Sequence, residues 1–287
     1  MNVELFKRIA PKAYYGKFLE QSIRPDGRNM DTGRGIVISE GHIGTADGSS
    51  FVRLGNTGII CGIKLEFLPS LEASETSGKL DINVHLTPLC SPNMRLGKPP
   101  SQCYFYSQTL TRIFEKYVID AHDLYAKEVN RVIVAHADLI CIDYEGSVFD
   151  ACSLALLAAL MNLRIPTVSL KEEELVFDYG MTYISLRNLD HPRSLQILNT
   201  PISISFGLFE DFEVMDPDVF EEDIIEDSVT FVLGEDGKVL SLVKPGGKPV
   251  KDEMLMTLRS KASDRYNEVY EVFETYRKSL GKEMELE

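Results

Sequence analysis

The chain has no tryptophan, and only five cysteines and five histidines among its 287 residues. The cysteines (Cys61, Cys90, Cys103, Cys141 and Cys152) show no C-x-x-C spacing. An odd number without that spacing argues against a disulfide framework or a zinc ribbon, so a reducing compartment, cytosol or nucleus, is expected. The histidines (His42, His85, His122, His136 and His191) form no i, i+4 pair and no Cys/His cluster. No apolar run approaches the roughly 18 residues of a membrane span. The longest is about ten residues, Cys152 to Met161 with Ser153 inside it. The opening stretch MNVELFKRIAPKAYYGKF has neither an apolar core nor a small-residue cleavage site, so no secretory signal is expected there. G-x-S-x-G is absent, as are G-x-x-x-x-G-K-[ST] and G-x-G-x-x-G, so neither a nucleophile elbow nor a nucleotide cradle is supported. Bases are few as well, 30 against 44 acids, for a net charge of −14. A chain this acidic does not hold nucleic acid by its overall field; a local basic patch or a basic partner would have to do so.

What is present is an ordinary globular composition, 44% hydrophobic and 26% charged. Residues 1–30 look like an arm, with weak helical spacing in PKAYYGKFLEQ and turn chemistry in Arg24-Pro25-Asp26-Gly27-Arg28. GIVISEG, GSSFVRLG and TGIICGIKLEFL then read as an antiparallel meander joined by the Gly-rich links TADG and GNTG. Residues 68–101 form a long proline-rich loop around a short strand, KLDINVHL. A helix is expected from about Gln102 to Tyr117, and a long apolar strand in EVNRVIVAHADLICIDYEG. SVFDACSLALLAALMNLRIP reads as a helix apolar on nearly every side, hence buried between layers and ended by Pro166. Further strands are expected in PTVSL, MTYISL, ISISFGLFE and FEVMD. SVTFVLGEDGKVLSLVK reads as a hairpin around Gly234–Gly237. From about Lys251 to Leu280, Leu255, Leu258, Ala262, Tyr266, Val269, Phe273, Tyr276 and Leu280 recur at steps of three or four, one stripe of an amphipathic helix. The pattern is α+β with an internal duplication: an arm at 1–30, a first half at 31–166 and a second at 167–287.

The densest chemical feature is acidic. Glu210, Asp211, Glu213, Asp216, Asp218, Glu221, Glu222, Asp223, Glu226 and Asp227 follow one another with no base between them. Such a run could hold a divalent metal or an acid/base pair, but a charge run is more often a solvated loop between strands. Asp216 stands apart, since it ends the strand FEVM and precedes Pro217. His136 reads as a hydrogen-bonded core residue, and the cysteines as small hydrophobes.

RPDGR, TADGSSFVRLGNTGIICGIK, DLICIDYEGSVFDACSLALLAAL and VMDPDVFEED, followed by a hairpin ending KPGG, together resemble the RNase PH family over about residues 20–280. Within it they resemble the non-catalytic ring subunits of the eukaryotic RNA exosome. The resemblance implies an RNase PH-like α+β fold of two similar β-α halves (ribosomal protein S5 domain 2-like), with helices packed on the sheets. Active members cleave RNA with inorganic phosphate, using arginines to hold that dianion and two acids near the scissile phosphate. One arginine follows a Gly-Ser/Thr pair before the buried helix; here Gly146-Ser147 is followed by Val148 and Phe149. A second should precede the helix after the long loop, where Pro100-Ser101-Gln102-Cys103 carries no base. Asp216 matches one family acid and Glu222 approximates the other. The resemblance therefore implies a catalytically dead site and no cofactor.

It also implies other RNase PH-like ring subunits as partners, S1/KH-domain cap subunits, an associated nuclease, and single-stranded RNA in a shared channel. The resemblance likewise implies no membrane, and a location in the nucleus, nucleolus and cytoplasm. Arg95 and Lys98, in a basic stretch of the long loop, are the candidate RNA contacts. Two alternatives stay open: a phosphate- or metal-dependent exoribonuclease working through Asp216 and the acidic run, and an interaction protein unrelated to RNA.

Overall fold

The computed structural model describes residues 6–7, 9–69, 77–92, 94–95, 97–127, 129–171, 174–178, 193–209 and 212–284. In chain order these form α1 (Pro11–Leu19), β1 (Ile36–Glu40), β2 (Gly48–Leu54), β3 (Thr57–Pro69), β4 (Lys79–Leu86) and α2 (Ser101–Tyr117). Then come β5 (Tyr125–Ala126), β6 (Arg131–Asp143), α3 (Val148–Met161), β7 (Arg164–Ile165), β8 (Thr167–Lys171) and β9 (Glu174–Asp178). The last are β10 (Arg193–Ser194), β11 (Ile202–Phe209), β12 (Phe212–Met215), α4 (Val219–Glu222), β13 (Asp227–Leu233), β14 (Val239–Val243) and α5 (Asp252–Met284). They fall into two compact units, one of Met1–Ile36, Glu145–Asp150 and Ile202–Glu287, the other of Val37–Tyr144 and Ala151–Pro201. Among the described residues no helix is long and apolar enough to cross a membrane.

The second of these units is built on a sheet ordered β1-β2-β3-β6-β4, with β5 also on β6. The meander expected from the sequence is there: β2 pairs antiparallel with β3 from Gly48↔Ile63 to Leu54↔Thr57. β4 joins β6 in parallel, Lys79 opposite Val134 and Leu86 opposite Cys141. α3 is buried along its whole apolar length, as its composition requires. Ser50 Oγ donates to Ala155 O at 2.7 Å, which ties that helix to β2. A Cβ on Gly48 would lie 2.8 Å from Ala159 O, so the strand approaches the helix more closely than any side chain allows. Pro166 does not end α3. The helix stops at Met161, and β7 intervenes before the proline. β9 was not expected, and MTYISL lies outside the described residues.

β6 also corrects the reading of His136. Ala135, Ala137, Leu139 and Cys141 are buried on one face, and His136 is out of phase with them. The two-residue period of a strand therefore turns it to solvent, where its Nδ1 and Nε2 lie 3.1 Å from Asp81 Oδ2 and Glu66 Oε2. Burial alone would lower its pKa, but the two carboxylates outweigh that and raise it. It bridges β3, β6 and β4 on their outer face and is no core residue.

The first unit carries the antiparallel sheet β12-β11-β13-β14. β13 and β14 form the expected hairpin, turned by a 3₁₀ segment Glu235–Gly237. β11 is buried on both faces, which its unbroken run ISISFGLF requires. The α5 stripe is buried at Leu258, Ala262, Tyr266, Val269, Phe273 and Tyr276, against β11 and β13. Residues 1–30 belong to this unit, where Tyr15 and Leu19 of α1 pack with Phe209, Val214 and Ile224.

Candidate functional site

The acidic run is no simple solvated loop. Asp216, Glu221 and Asp227 are 5%, 2% and 9% exposed, and each meets a base. Glu210 and Asp211 lie outside the described residues. Asp216 follows β12 with φ +51°, a left-handed conformation that aims its carboxylate away from the strand. Its amide donates to Ser205 O at 2.9 Å, which keeps the kinked backbone on the sheet.

The carboxylate is then held from three directions. Arg34 Nη2 donates to Oδ1 at 2.7 Å and Arg34 Nε to Oδ2 at 2.9 Å, a two-point fork, while the Arg34 amide donates to Oδ2 at 2.7 Å. Arg28 Nη1 adds a contact to Oδ2 at 3.3 Å. Burial by itself would raise the Asp216 pKa; the hydrogen bonds and charge of Arg34, with Arg28 behind it, override that and hold it below the ordinary carboxylate value. The same pairing keeps Arg34 protonated against its own burial.

Arg34 also reads the Gly-Ser stretch. Its Nη1 donates to Glu145 O at 2.7 Å and its Nη2 to Gly146 O at 3.1 Å. Gly146 has φ +88°, and a Cβ there would sit 2.5 Å from Pro217 O, so only glycine fits. Ser147 follows at φ +49°; its amide donates to Glu222 Oε1 at 2.8 Å and its Oγ to Pro217 O at 3.1 Å. Glu222 thus supports a turn. Val148 and Phe149, at the start of α3, are 3% and 5% exposed. Gly146, Ser147, Asp216 and Glu222 are brought together around a guanidinium from residue 34 that the sequence reading did not single out.

Arg24 was missed likewise. It is 1% exposed, and its Nε donates to Glu221 Oε1 at 2.9 Å while Nη2 pairs with Oε2. Nη1 and Nη2 also donate to the carbonyls of Met215 and Asp216 at 2.8 and 3.1 Å. The only signal available was the pair of arginines in RPDGR, which turn chemistry alone does not explain. Arg95 and Lys98 are exposed on the link between β4 and α2, in the other unit, with no ion pair among the described residues. Among the described residues no group of three or more His, Cys, Asp or Glu side chains is placed to hold a metal ion.

A buried carboxyl lies beneath this arrangement. Asp150, in the first turn of α3, accepts from Ser205 N at 2.8 Å and Ser205 Oγ at 2.9 Å. Burial first, and the Asp216 charge second, push its pKa up to about 7. Between the ordinary carboxylate value and pH 7 the folded chain therefore holds a proton the unfolded chain has lost. Stability falls as pH rises through that window. Asp150→Asn is expected to flatten this slope and raise stability at pH 8 by about 1–4 kcal/mol, its amide oxygen still accepting from Ser205 N. Urea midpoints of the two proteins at pH 5 and pH 8 check this; an unchanged difference between the two pH values rejects it.

Two antiparallel-rich sheets, each packed with helices, place the chain in the mixed α+β class. The profile of the 3′ exoribonuclease family, domain 1, matches residues 32–166, and that of domain 2 matches residues 199–264. The chain belongs to the RNase PH family. It is 32% identical to exosome complex component rrp43 of Schizosaccharomyces pombe, over 88% of this chain and 90% of that protein. It is also 32% identical to exosome complex component Rrp42 of Methanothermobacter thermautotrophicus, over 81% and 83%. Its fold is that of a chain in the Archaeoglobus fulgidus exosome with RNA bound to the active site (TM-score 0.78, 24% identity, covering 91% of this chain and 97% of that one). The same holds for a chain of an archaeal exosome core (TM-score 0.76, 21% identity, 96% and 100% covered).

Proposed function

We propose that this chain is a non-catalytic structural subunit of the core ring of the RNA exosome. In that role it helps to form the channel that guides single-stranded RNA to a nuclease. The observation that carries this reading is the state of Asp216. The carboxylate at the family's acidic position is buried, and both of its oxygens are occupied by Arg34. Where an active member would offer an arginine to phosphate, Val148 and Phe149 are buried and apolar. Two missing phosphate donors remove far more than the roughly 10²–10³ in rate that one is worth. The names of the relatives support membership of an exosome core. The partners in this reading are other RNase PH-like ring subunits, S1/KH-domain cap subunits and the associated nuclease, in nucleus, nucleolus and cytoplasm.

The test incubates the purified chain with labelled RNA, phosphate and magnesium. No nucleoside diphosphate is expected; phosphate-dependent release that Asp216→Ala abolishes overturns the reading. In the reconstituted complex, changing Arg95 and Lys98 together to glutamate is expected to leave assembly intact. The logarithmic salt slope of RNA binding should then change by roughly one or two. An unchanged slope removes these two residues from the channel.

A further inference from the structure

The outer face of the β1-β2-β3-β6-β4 sheet carries two histidines set among carboxylates. Along β4 the residues turned outward are Lys79, Asp81, Asn83 and His85, alternating with the buried Leu80, Ile82, Val84 and Leu86. β6 runs parallel beside it and places His136 directly opposite Asp81, and Asp138 opposite Asn83. Two His–carboxylate couples therefore cross this strand pair in opposite senses. His136 Nδ1 lies 3.1 Å from Asp81 Oδ2, and His85 Nε2 lies 3.7 Å from Asp138 Oδ1. His136 also reaches a third strand, its Nε2 being 3.1 Å from Glu66 Oε2 on β3. A neutral imidazole has one N–H and can donate to only one of these two carboxylates; the imidazolium donates to both. Bridging all three strands thus requires the charged ring.

The other groups facing the ring leave this arrangement in place. Lys64, the partner of His136 across β3, turns its Nζ to Thr45 O at 3.0 Å. Lys79 is exposed two residues before Asp81 and has no ion pair among the described residues. Asn83 Nδ2 lies 3.5 Å from Asp81 Oδ2 and brings no charge. Against these stand Glu66 and Asp81, which outweigh burial and keep His136 protonated above the ordinary histidine range. β4 is the edge strand of the sheet, held by one ladder instead of two, and it runs directly into the link that carries Arg95 and Lys98.

We propose that His136 is a pH-sensitive latch, which clamps the edge strand β4 to β6 and β3 when its ring is protonated and loosens that strand when the proton leaves. The His85–Asp138 couple is a second, weaker catch at the end of β4 nearest the link. The sign follows from the raised histidine. Its stabilisation is complete below the ordinary histidine value and is lost as pH rises through the raised one. β4 stays folded on the alkaline side, because Leu80, Ile82, Val84 and Leu86 remain buried, but it opens more often. The footing of the 87–100 link is therefore firmer on the acid side of neutrality. The inference goes beyond ring membership and does not depend on it.

Hydrogen exchange of the β4 amides in the full chain tests this at pH 6 and pH 8, each rate divided by its intrinsic value, for the wild type and His136→Gln. The substitution keeps a donor amide on the outer face but nothing that titrates. Between the two pH values, protection of Leu80–Leu86 is expected to fall by roughly two- to fivefold more in the wild type than in H136Q, the range of a solvent-exposed ion pair. His85→Gln should remove a smaller part of that difference. β2, in the same sheet but away from the latch, measures the background that titration of Asp150 contributes. An equal fall in the wild type and H136Q, or a fall in β2 as large as in β4, overturns the proposal. So does a ring-proton NMR titration that puts the His136 midpoint at or below the ordinary value of about 6.5.

Discussion

Replacing Arg24 with alanine is expected to cost about 3–5 kcal/mol, a large share of the roughly 5–15 kcal/mol that holds an ordinary domain folded. The side chains of Arg24 and Glu221 are 0% and 3% exposed, so their pairing is made out of water. Removing the guanidinium leaves a carboxylate whose remaining partner is the Asp218 amide, at 2.9 Å. It also strips the donors from the Met215 and Asp216 carbonyls, which fix the end of β12. The loss therefore propagates to the kink that presents Asp216. Lysine does not rescue it, because one ammonium cannot replace three donating nitrogens arranged as a fork. Arg24→Ala with Glu221→Leu should recover a large part of the loss, since an apolar replacement of both partners strands no charge. Urea unfolding of the four proteins gives the cycle. A loss under about 1 kcal/mol for the single variant, or no recovery in the double, would show that the pair is not what holds the acidic segment.

The strands, their meander, the buried α3 and the α5 stripe were legible because each is written in local periodicity. Leu258, Ala262, Tyr266 and Val269 announce their helix whatever surrounds it. β6 was legible as a strand but not in its facing, because Ile140 and the small Ala135 and Ala137 blur the alternation that exposes His136. The end of α3 was misplaced because β7 and its pairing with β10 begin before the proline. Of the candidate site, Gly146, Ser147, Asp216 and Glu222 could be picked out from short motifs. What they are paired with could not. Arg34 reaches Asp216 across 182 positions and Arg24 reaches Glu221 across 197, and no local spacing encodes such contacts. Read without those arginines, the acidic run looks like a solvated loop; with them, its inner face is a set of buried ion pairs.

That pairing bears on the proposed non-catalytic reading, which predicts that an arginine placed after Gly146-Ser147 does not create a phosphate site. Val148→Arg restores the Gly-Ser-Arg order in sequence but is expected to yield no phosphorolysis and a loss of about 3–5 kcal/mol. Val148 is 3% exposed, and it follows a left-handed Ser147 whose amide is fixed on Glu222. A guanidinium at that position starts from a buried backbone site. The nearest family carboxylate, Asp216, has both oxygens already committed to Arg34. The new charge is thus buried where the neighbouring carboxylate, Glu222, is already turned to the Ser147 amide, while Asp216 stays committed to Arg34. Freeing Asp216 by Arg34→Ala does not open the site, because it leaves a buried carboxylate with only the residue-34 amide and the distant Arg28 contact and removes the Arg34 bonds to the Glu145 and Gly146 carbonyls. Chemistry at this position would need the turn, the acid and the base to be rebuilt together. Thermal unfolding and a phosphate-dependent release assay on Val148→Arg separate the cases. A variant as stable as the parent that releases nucleoside diphosphate would overturn this expectation.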